Sequence, residues 1–313
     1  MHVDSTEQCF LEQRLGRHYC QLRLSLEAER EYRGSDKNRQ GFFIEHWEGG
    51  RSLIRLALRL SLMQPLGRRN ARALRIHHND VALPRLPPAF HGYTLLHLSD
   101  LHLDMGPGLV EALIETVRGL DYDACVITGD FRAKTYGPCQ AALDGMAKIY
   151  PHLKGSVYAV FGNHDSLRMV QPLEDLGLRL LFNEAVALRR GDQAIYLAGV
   201  DDPHYYRTDN LEKAGAAIPE NAVALLLSHS PAIYRQAAGA GFDLMLSGHT
   251  HGGQICLPGG FPLYVNTGAP RRYCRGTWRY HGLQGYTSSG SGVSIADARF
   301  NCPPEVTLHR LLH

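Results

Sequence analysis

The sequence predicts an α/β layered fold, with helices flanking β-sheets, on three observations. Five short apolar runs of buried-strand length recur between Tyr93 and Leu246. Each leads into a polar turn, several of them carrying glycine, which is how buried strands end. Helix-like segments, such as Pro107–Leu120 and Gln140–Tyr150, separate several of the runs, and strands alternating with helices argue layers of sheet and helix.

Taken in order, residues 1 to 50 are polar, charged and weakly patterned, with a loop-like stretch from Gly34 to Gly41. Arg51–Met63 then shows helical spacing. Leu53, Leu56, Leu60 and Met63 share one face and Arg51, Arg55 and Arg59 stack opposite, with Pro65 and Gly67 expected to end the helix. Gly49–Asn79 holds seven arginines and no acid, a local basic block in a nearly neutral chain. The strand runs follow: Tyr93–Leu98, Ala124–Ile127, Val157–Phe161, Val223–Leu227 and Phe242–Leu246. The change of texture places an N-terminal extension at residues 1–75 and a catalytic domain at 76–313.

Composition narrows the function classes. The 313 residues carry a formal charge of +2 and are 44% hydrophobic, which fits a globular protein and disfavours wholesale nucleic-acid binding. Seven scattered cysteines without a Cys-x-x-Cys pair fit a reducing compartment better than a disulfide framework. The first residues carry acids and no apolar core of a secretory signal. The longest charge-free run, Leu244–Pro270, is broken by Gly, Pro and His and does not read as a membrane span. These features predict a cytoplasmic protein. The basic helix leaves two readings open: a helix packed on the catalytic domain with its arginines in solvent, or a peripheral contact with the inner face of the membrane, since arginines on an amphipathic helix suit anionic lipid.

Each predicted strand ends in a candidate ligand. The series is Asp100 and His102, Asp130, Asn163 with His164 and Asp165, His229, and His249 with His251. Ligands of α/β sheets gather beyond the carboxyl ends of strands, so these ends are expected to converge. Asp100 and His102, two apart, would point to one side of an extended chain, and His249 and His251 repeat the spacing. Gly129, Gly162 and Gly248 precede ligand positions, where tight turns or close backbone approach would need a residue without a Cβ. An Asp-x-His pair or a Gly-Asp turn alone recurs by chance. Gly162-Asn-His-Asp165 and Gly248-His-Thr-His-Gly-Gly-Gln254 are far rarer, and packing does not explain all five in order. Carboxylate, imidazole and amide oxygen together favour Mn, Fe, Zn or Ni over Ca or Mg.

With Ser99-Asp-Leu-His-Leu103 and Thr128-Gly-Asp-Phe131, these motifs resemble the calcineurin-like metallophosphoesterase superfamily, over roughly Leu83–Leu311. The details look most like its YaeI-type bacterial phosphodiesterase branch, which is itself similar to UDP-2,3-diacylglucosamine pyrophosphatases of lipid A synthesis. The resemblance implies a layered β-sandwich flanked by helices and two divalent metals, manganese first among them. Asp100, His102 and His251 would hold one ion, and Asn163, His229 and His249 the other, with Asp130 bridging. A hydroxide between ions about 3.5–4 Å apart would attack phosphorus. His164 would act as the acid or as an imidazole contacting the phosphate, oriented by Asp165. One departure stands out: the family often continues Gly-Asp-x-x-Asp or Asn, and here Ala133 takes the last position, so Arg132 or Lys134 would reshape the rim.

The implied substrate is a small phosphoester or a lipid-linked diphosphate. Its selectivity would come from Arg132, Lys134, His204–Arg207 and the arginines at 271, 272 and 275. A non-catalytic scaffold of the same fold is the alternative from another class, and the complete ligand set argues against it.

Overall fold

Side-chain alternation along the strands divides the protein into layers. A computed structural model describes residues 5–35, 56, 58–262 and 264–313. One six-stranded sheet contains β1 (Arg75–Ala82), β2 (Thr94–Leu98), β3 (Ala124–Thr128), β4 (Ser156–Val160), β5 (Leu178–Leu180) and β14 (Glu305–Leu312), in the order β1-β14-β2-β3-β4-β5. The other contains β6 (Glu184–Arg190), β7 (Gln193–Gly199), β8 (Ala224–Leu227), β9 (Leu244–Ser247), β12 (Gly276–Tyr280) and β13 (Leu283–Thr287), in the order β12-β13-β9-β8-β7-β6. A two-stranded ribbon, β10 (Cys256–Leu257) with β11 (Phe261–Pro262), stands apart.

Period two decides which residue goes where. On β2 and β3, Leu95, Ala124 and Val126 face the second sheet, where they meet Leu197, Leu225 and Leu246. Their neighbours Leu96, Leu98, Cys125 and Ile127 face the opposite way, into a helical layer. The molecule is therefore a sandwich flanked by helices, as the sequence predicted. All five runs became strands, displaced by two residues at most. The strands that were not foreseen include β1, which exposes most of its length, and β6, which is buried only at alternate positions near its middle.

The helical layer includes α1 (Ser5–Leu15) and α2 (Arg17–Ser35), then, after α3 (Gln64–Arg72), α4 (Leu109–Val117) and α5 (Gln140–Ile149). Val110, Leu113 and Val117 recur at three- and four-residue spacing and bury one face of α4. Leu11, Leu15 and Cys20 join the same core. The polar N-terminus thus supplies a helical hairpin whose few apolar residues are buried, a signal too sparse for periodicity to detect.

Of the helix expected at Arg51–Met63, residues 51–55 and 57 lie outside the described residues. Within it Leu56 and Leu58–Leu60 are helical, and Leu60 and Leu62 are 76% and 84% exposed. Pro65 and Gly67 correct the expected boundary. A turn at Ser61 and Leu62 ends that helix, and Pro65 sits in the first turn of α3, where a missing N–H leaves no bond unmade.

β2, β3 and β4 are parallel neighbours in the first sheet, and β8 and β9 in the second. The candidate ligands leave them at a constant offset. Asp100, Asp130, His229 and His249 stand two residues beyond their strands, and Asn163 stands three beyond.

Candidate metal centre

The five strand ends meet at one edge of the sandwich, and hydrogen bonds tie the two sheets together there. The His249 N–H donates to both Asp100 oxygens at 3.0 Å, and His229 Nδ1 donates to the Thr128 carbonyl at 2.7 Å. Every candidate ligand is buried.

The ligand atoms fall into two sets. Those of Asp100, His102 and His251 lie within 4.8 Å of one another, as do those of Asp130, His229 and His249. Asn163 joins the second set, its Oδ1 3.0 Å from His229 Nε2. Asp130 Oδ2 lies between the sets, 3.3 Å from His229 Nε2 and 3.7 Å from His102 Nε2. His164 Nε2 approaches the same oxygen at 3.9 Å.

The backbone at these positions departs from the extended geometry expected of Asp100-x-His102 and His249-x-His251. Asp100, His102, Asp130, His249 and His251 all have φ between 42° and 70°. Twelve described non-glycine residues adopt positive φ, and these are five of them, so strained backbone concentrates here. The left-handed turns bring Asp100 and His102 into one set and send His249 and His251 to different sets. Glycine makes the crowding feasible. A Cβ at Gly248 would lie 1.8 Å from Ser99 Oγ and 2.3 Å from Asp100 Oδ2, and one at Gly162 would lie 2.2 Å from Asp130 Oδ1.

The ring nitrogens identify what the cluster can hold. A carbonyl oxygen only accepts, so His102 Nδ1 carries the hydrogen it gives to Arg132 O at 2.7 Å, as His229 Nδ1 does toward Thr128 O. In the neutral rings Nε2 is then a bare lone pair facing the cluster. His102 Nε2 faces His251 Nε2 at 3.1 Å, and His229 Nε2 faces His249 Nδ1 at 3.1 Å. Two lone pairs at that separation repel unless a proton or a cation lies between them. Burial pushes His249 and His251 well below the usual imidazole range, which keeps both neutral and able to ligate. Burial also pushes the Asp130 carboxyl up, but His229, His164 and His102 outweigh it and hold it well below the usual carboxylate range. Burial pushes His229 down, but Asp130 outweighs it and holds that ring well above the usual imidazole range, where a cation would take the place of its proton. Buried carboxylates, imidazoles and an amide oxygen aimed at common points form a donor set suited to transition-metal ions.

Two expectations need correction. Asp165 was expected to orient the His164 ring. Instead its carboxylate accepts the backbone N–H groups of Asp130 (2.8 Å), Phe131 (2.8 Å) and Gly162 (2.9 Å), so it shapes the loop that carries the bridging position. Burial, then the nearby Asp130, push its pKa up to about 7. Arg132 was expected at the rim. It is buried and donates to the carbonyls of His164, Thr135 and Gly137, a structural brace rather than a substrate contact. Lys134 and the arginines at 271, 272 and 275 are exposed. His204 from the expected rim does reach the site, its ring 4.2 Å from that of His249. Asp202 folds that loop by accepting the N–H groups of His204, Tyr205 and Tyr206. Sequence reasoning missed Asp202, because an acid that caps a loop leaves no spacing signal.

A family model described as calcineurin-like phosphoesterase matches residues 93–253. The chain is 33% identical over 236 residues to an uncharacterized metallophosphoesterase, YkoQ, of Bacillus subtilis, covering 72% of this chain and 85% of that protein. It is 28% identical over 236 residues to the phosphodiesterase YaeI of Escherichia coli, covering 70% and 82%. A transmembrane protein with metallophosphoesterase domain from Bos taurus is 33% identical over 209 residues, and there the chain spans only 45% of the relative's length.

Proposed function

The chain belongs to the calcineurin-like phosphoesterase family, and on that footing we propose that it hydrolyses phosphodiester or diphosphate bonds with two divalent metal ions. The observation that carries this reading is the pair of ligand sets meeting at Asp130 Oδ2. Asp100, His102 and His251 would hold one ion, and Asn163, His229 and His249 the other, with Asp130 shared. His249 Nε2 is buried without a hydrogen-bond partner, a polar atom that the fold leaves unsatisfied beside the second set. The donor types favour manganese, with Fe, Zn and Ni as alternatives. When bound, such ions acidify water and neutralise charge on phosphoryl oxygens.

The chain's own residues do the rest. Left-handed backbone and glycine packing fix the ligands before any ion arrives. His164 faces Asp130 and is the group we assign to protonate the leaving oxygen. Asp165 holds the Asp130 and Gly162 amides, so its contribution is to place the bridging carboxylate and the His164 loop together. We assign this chemistry to a catalytic domain of residues 76–313, with residues 1–75 as an N-terminal extension. A non-catalytic scaffold would not need every ligand position filled.

Exposed Leu60, Leu62, Met63 and Leu66, beside exposed Arg59, Arg68 and Arg69, favour a second reading: a lipid-linked diphosphate such as UDP-2,3-diacylglucosamine, met at a membrane surface. Among the described residues no helix is long and apolar enough to cross a membrane. Flotation with anionic liposomes at low and high salt tests it, and absence of binding at low salt removes it. The primary test is turnover with added Mn²⁺ on bis(p-nitrophenyl) phosphate, cyclic nucleotides and UDP-2,3-diacylglucosamine. Metal-dependent release from at least one supports the reading, and inertness toward all three contradicts it.

A further inference from the structure

The only fully buried cation on the N-terminal hairpin among the described residues is Arg23, and its partners all belong to loops of the metal centre or to α2 itself. Its Nε donates to Asp201 Oδ2 at 2.9 Å, one terminal nitrogen donates to Glu27 at 2.7 Å, and the other reaches the Asp165 carbonyl at 3.3 Å. Its guanidinium stacks 3.3 Å from the ring centroid of Tyr206. Glu27 extends the same connection. One of its oxygens accepts the Leu167 N–H at 2.9 Å and the other accepts the Ser166 hydroxyl at 2.6 Å.

Two loops are therefore held from one helix. Residues 162–167 carry Asn163 and His164. Residues 200–207 carry His204, whose ring packs on His249. Tyr19 fastens the second loop again through its hydroxyl to Asp201. A buried ion pair adds little to stability relative to apolar packing, but its directional bonds fix geometry. This one joins a segment remote in sequence to both loops.

We propose that the N-terminal helical hairpin is a working part of the active site, with Arg23 and Glu27 as positioning residues that set the His164 loop and the His204 loop against the two ions. This rests on the hydrolase reading given above. The hairpin acts through the loops and touches no reacting atom. Loosening it should hurt most the step that needs His164 placed accurately, protonation of a poor leaving group.

The test compares Glu27→Ala and Arg23→Lys with wild type and with Arg17→Ala, an exposed control, all as full-length Mn²⁺-loaded protein. Two diester substrates are used, one with a p-nitrophenyl leaving group and one with an alkyl leaving group. Hydrogen exchange should rise across residues 162–167 in Glu27→Ala and across both loops in Arg23→Lys, with two ions still bound. For Glu27→Ala, kcat on the alkyl ester should fall about 10-fold more than on the p-nitrophenyl ester, because the latter hardly needs an acid. Unchanged exchange in both loops overturns the inference, as does an equal loss on both esters, which is the signature of a smaller folded fraction. Wild-type inactivity toward both esters overturns the inference, and the hydrolase reading falls with it only if UDP-2,3-diacylglucosamine is inert as well.

Discussion

Asp130 Oδ2 is within 4 Å of three imidazoles from three different strand ends, so removing its charge reaches both ligand sets. Asp130→Asn should lower metal occupancy and turnover together. His164→Ala should keep both ions and lower kcat by about 100-fold or more, the usual worth of a general acid. Metal analysis beside kinetics checks both, and metal loss in the His164 variant would contradict its role. At this scale the sequence was most informative for first contacts, because Gly162-Asn-His-Asp165 and Gly248-His-Thr-His251 name their ligands by type and order. It was silent where a residue acts on backbone. Asp165 holds three amides and Arg132 braces three carbonyls, tasks that any nearby polar side chain could perform and that no motif marks.

Among the elements, the hairpin of α1 and α2 departs furthest from expectation. The first fifty residues are polar enough to suggest a solvated extension, yet Leu11 is wholly buried in the core that backs β2 and β3. Leu11→Ala should therefore cost about 2–5 kcal/mol, the range for emptying a packed leucine site. Leu60→Ala, at a position 76% exposed, should stay within about 0.5 kcal/mol. Urea unfolding measures both, and equal effects would mean that the hairpin is not part of the core. The strands carrying ligands were legible because burial on both faces makes them continuously apolar. Strands such as β1 were not, because exposure dilutes the pattern.

For the molecule as a whole, the inner face of the first sheet hides a polar chain within the sandwich. Asn79 meets His309, His309 meets His97, and His97 meets Thr128, at 2.9, 3.2 and 2.8 Å. Burial pushes His97 down to about 3 and His309 well below the usual range. In the unfolded chain each titrates near about 6.5. Between those values the unfolded state binds protons that the folded state refuses. Stability is thus complete above about pH 6.5 and falls on acidification, by about 1.4 kcal/mol per pH unit for each histidine. The urea midpoint should be lower at about pH 5.5 than at about pH 7.5, and His309→Gln should flatten the difference. A midpoint that rises on acidification would contradict the assignment.

The central claim is that strand ends spread from Asp100 to His251 hold two ions through one shared carboxylate. Titration with Mn²⁺ followed by electron paramagnetic resonance tests it most directly. Two ions per chain should bind and give an exchange-coupled spectrum in the wild type, and the coupling should vanish in Asp130→Asn. One ion per chain, or two that are magnetically independent, would contradict the shared site.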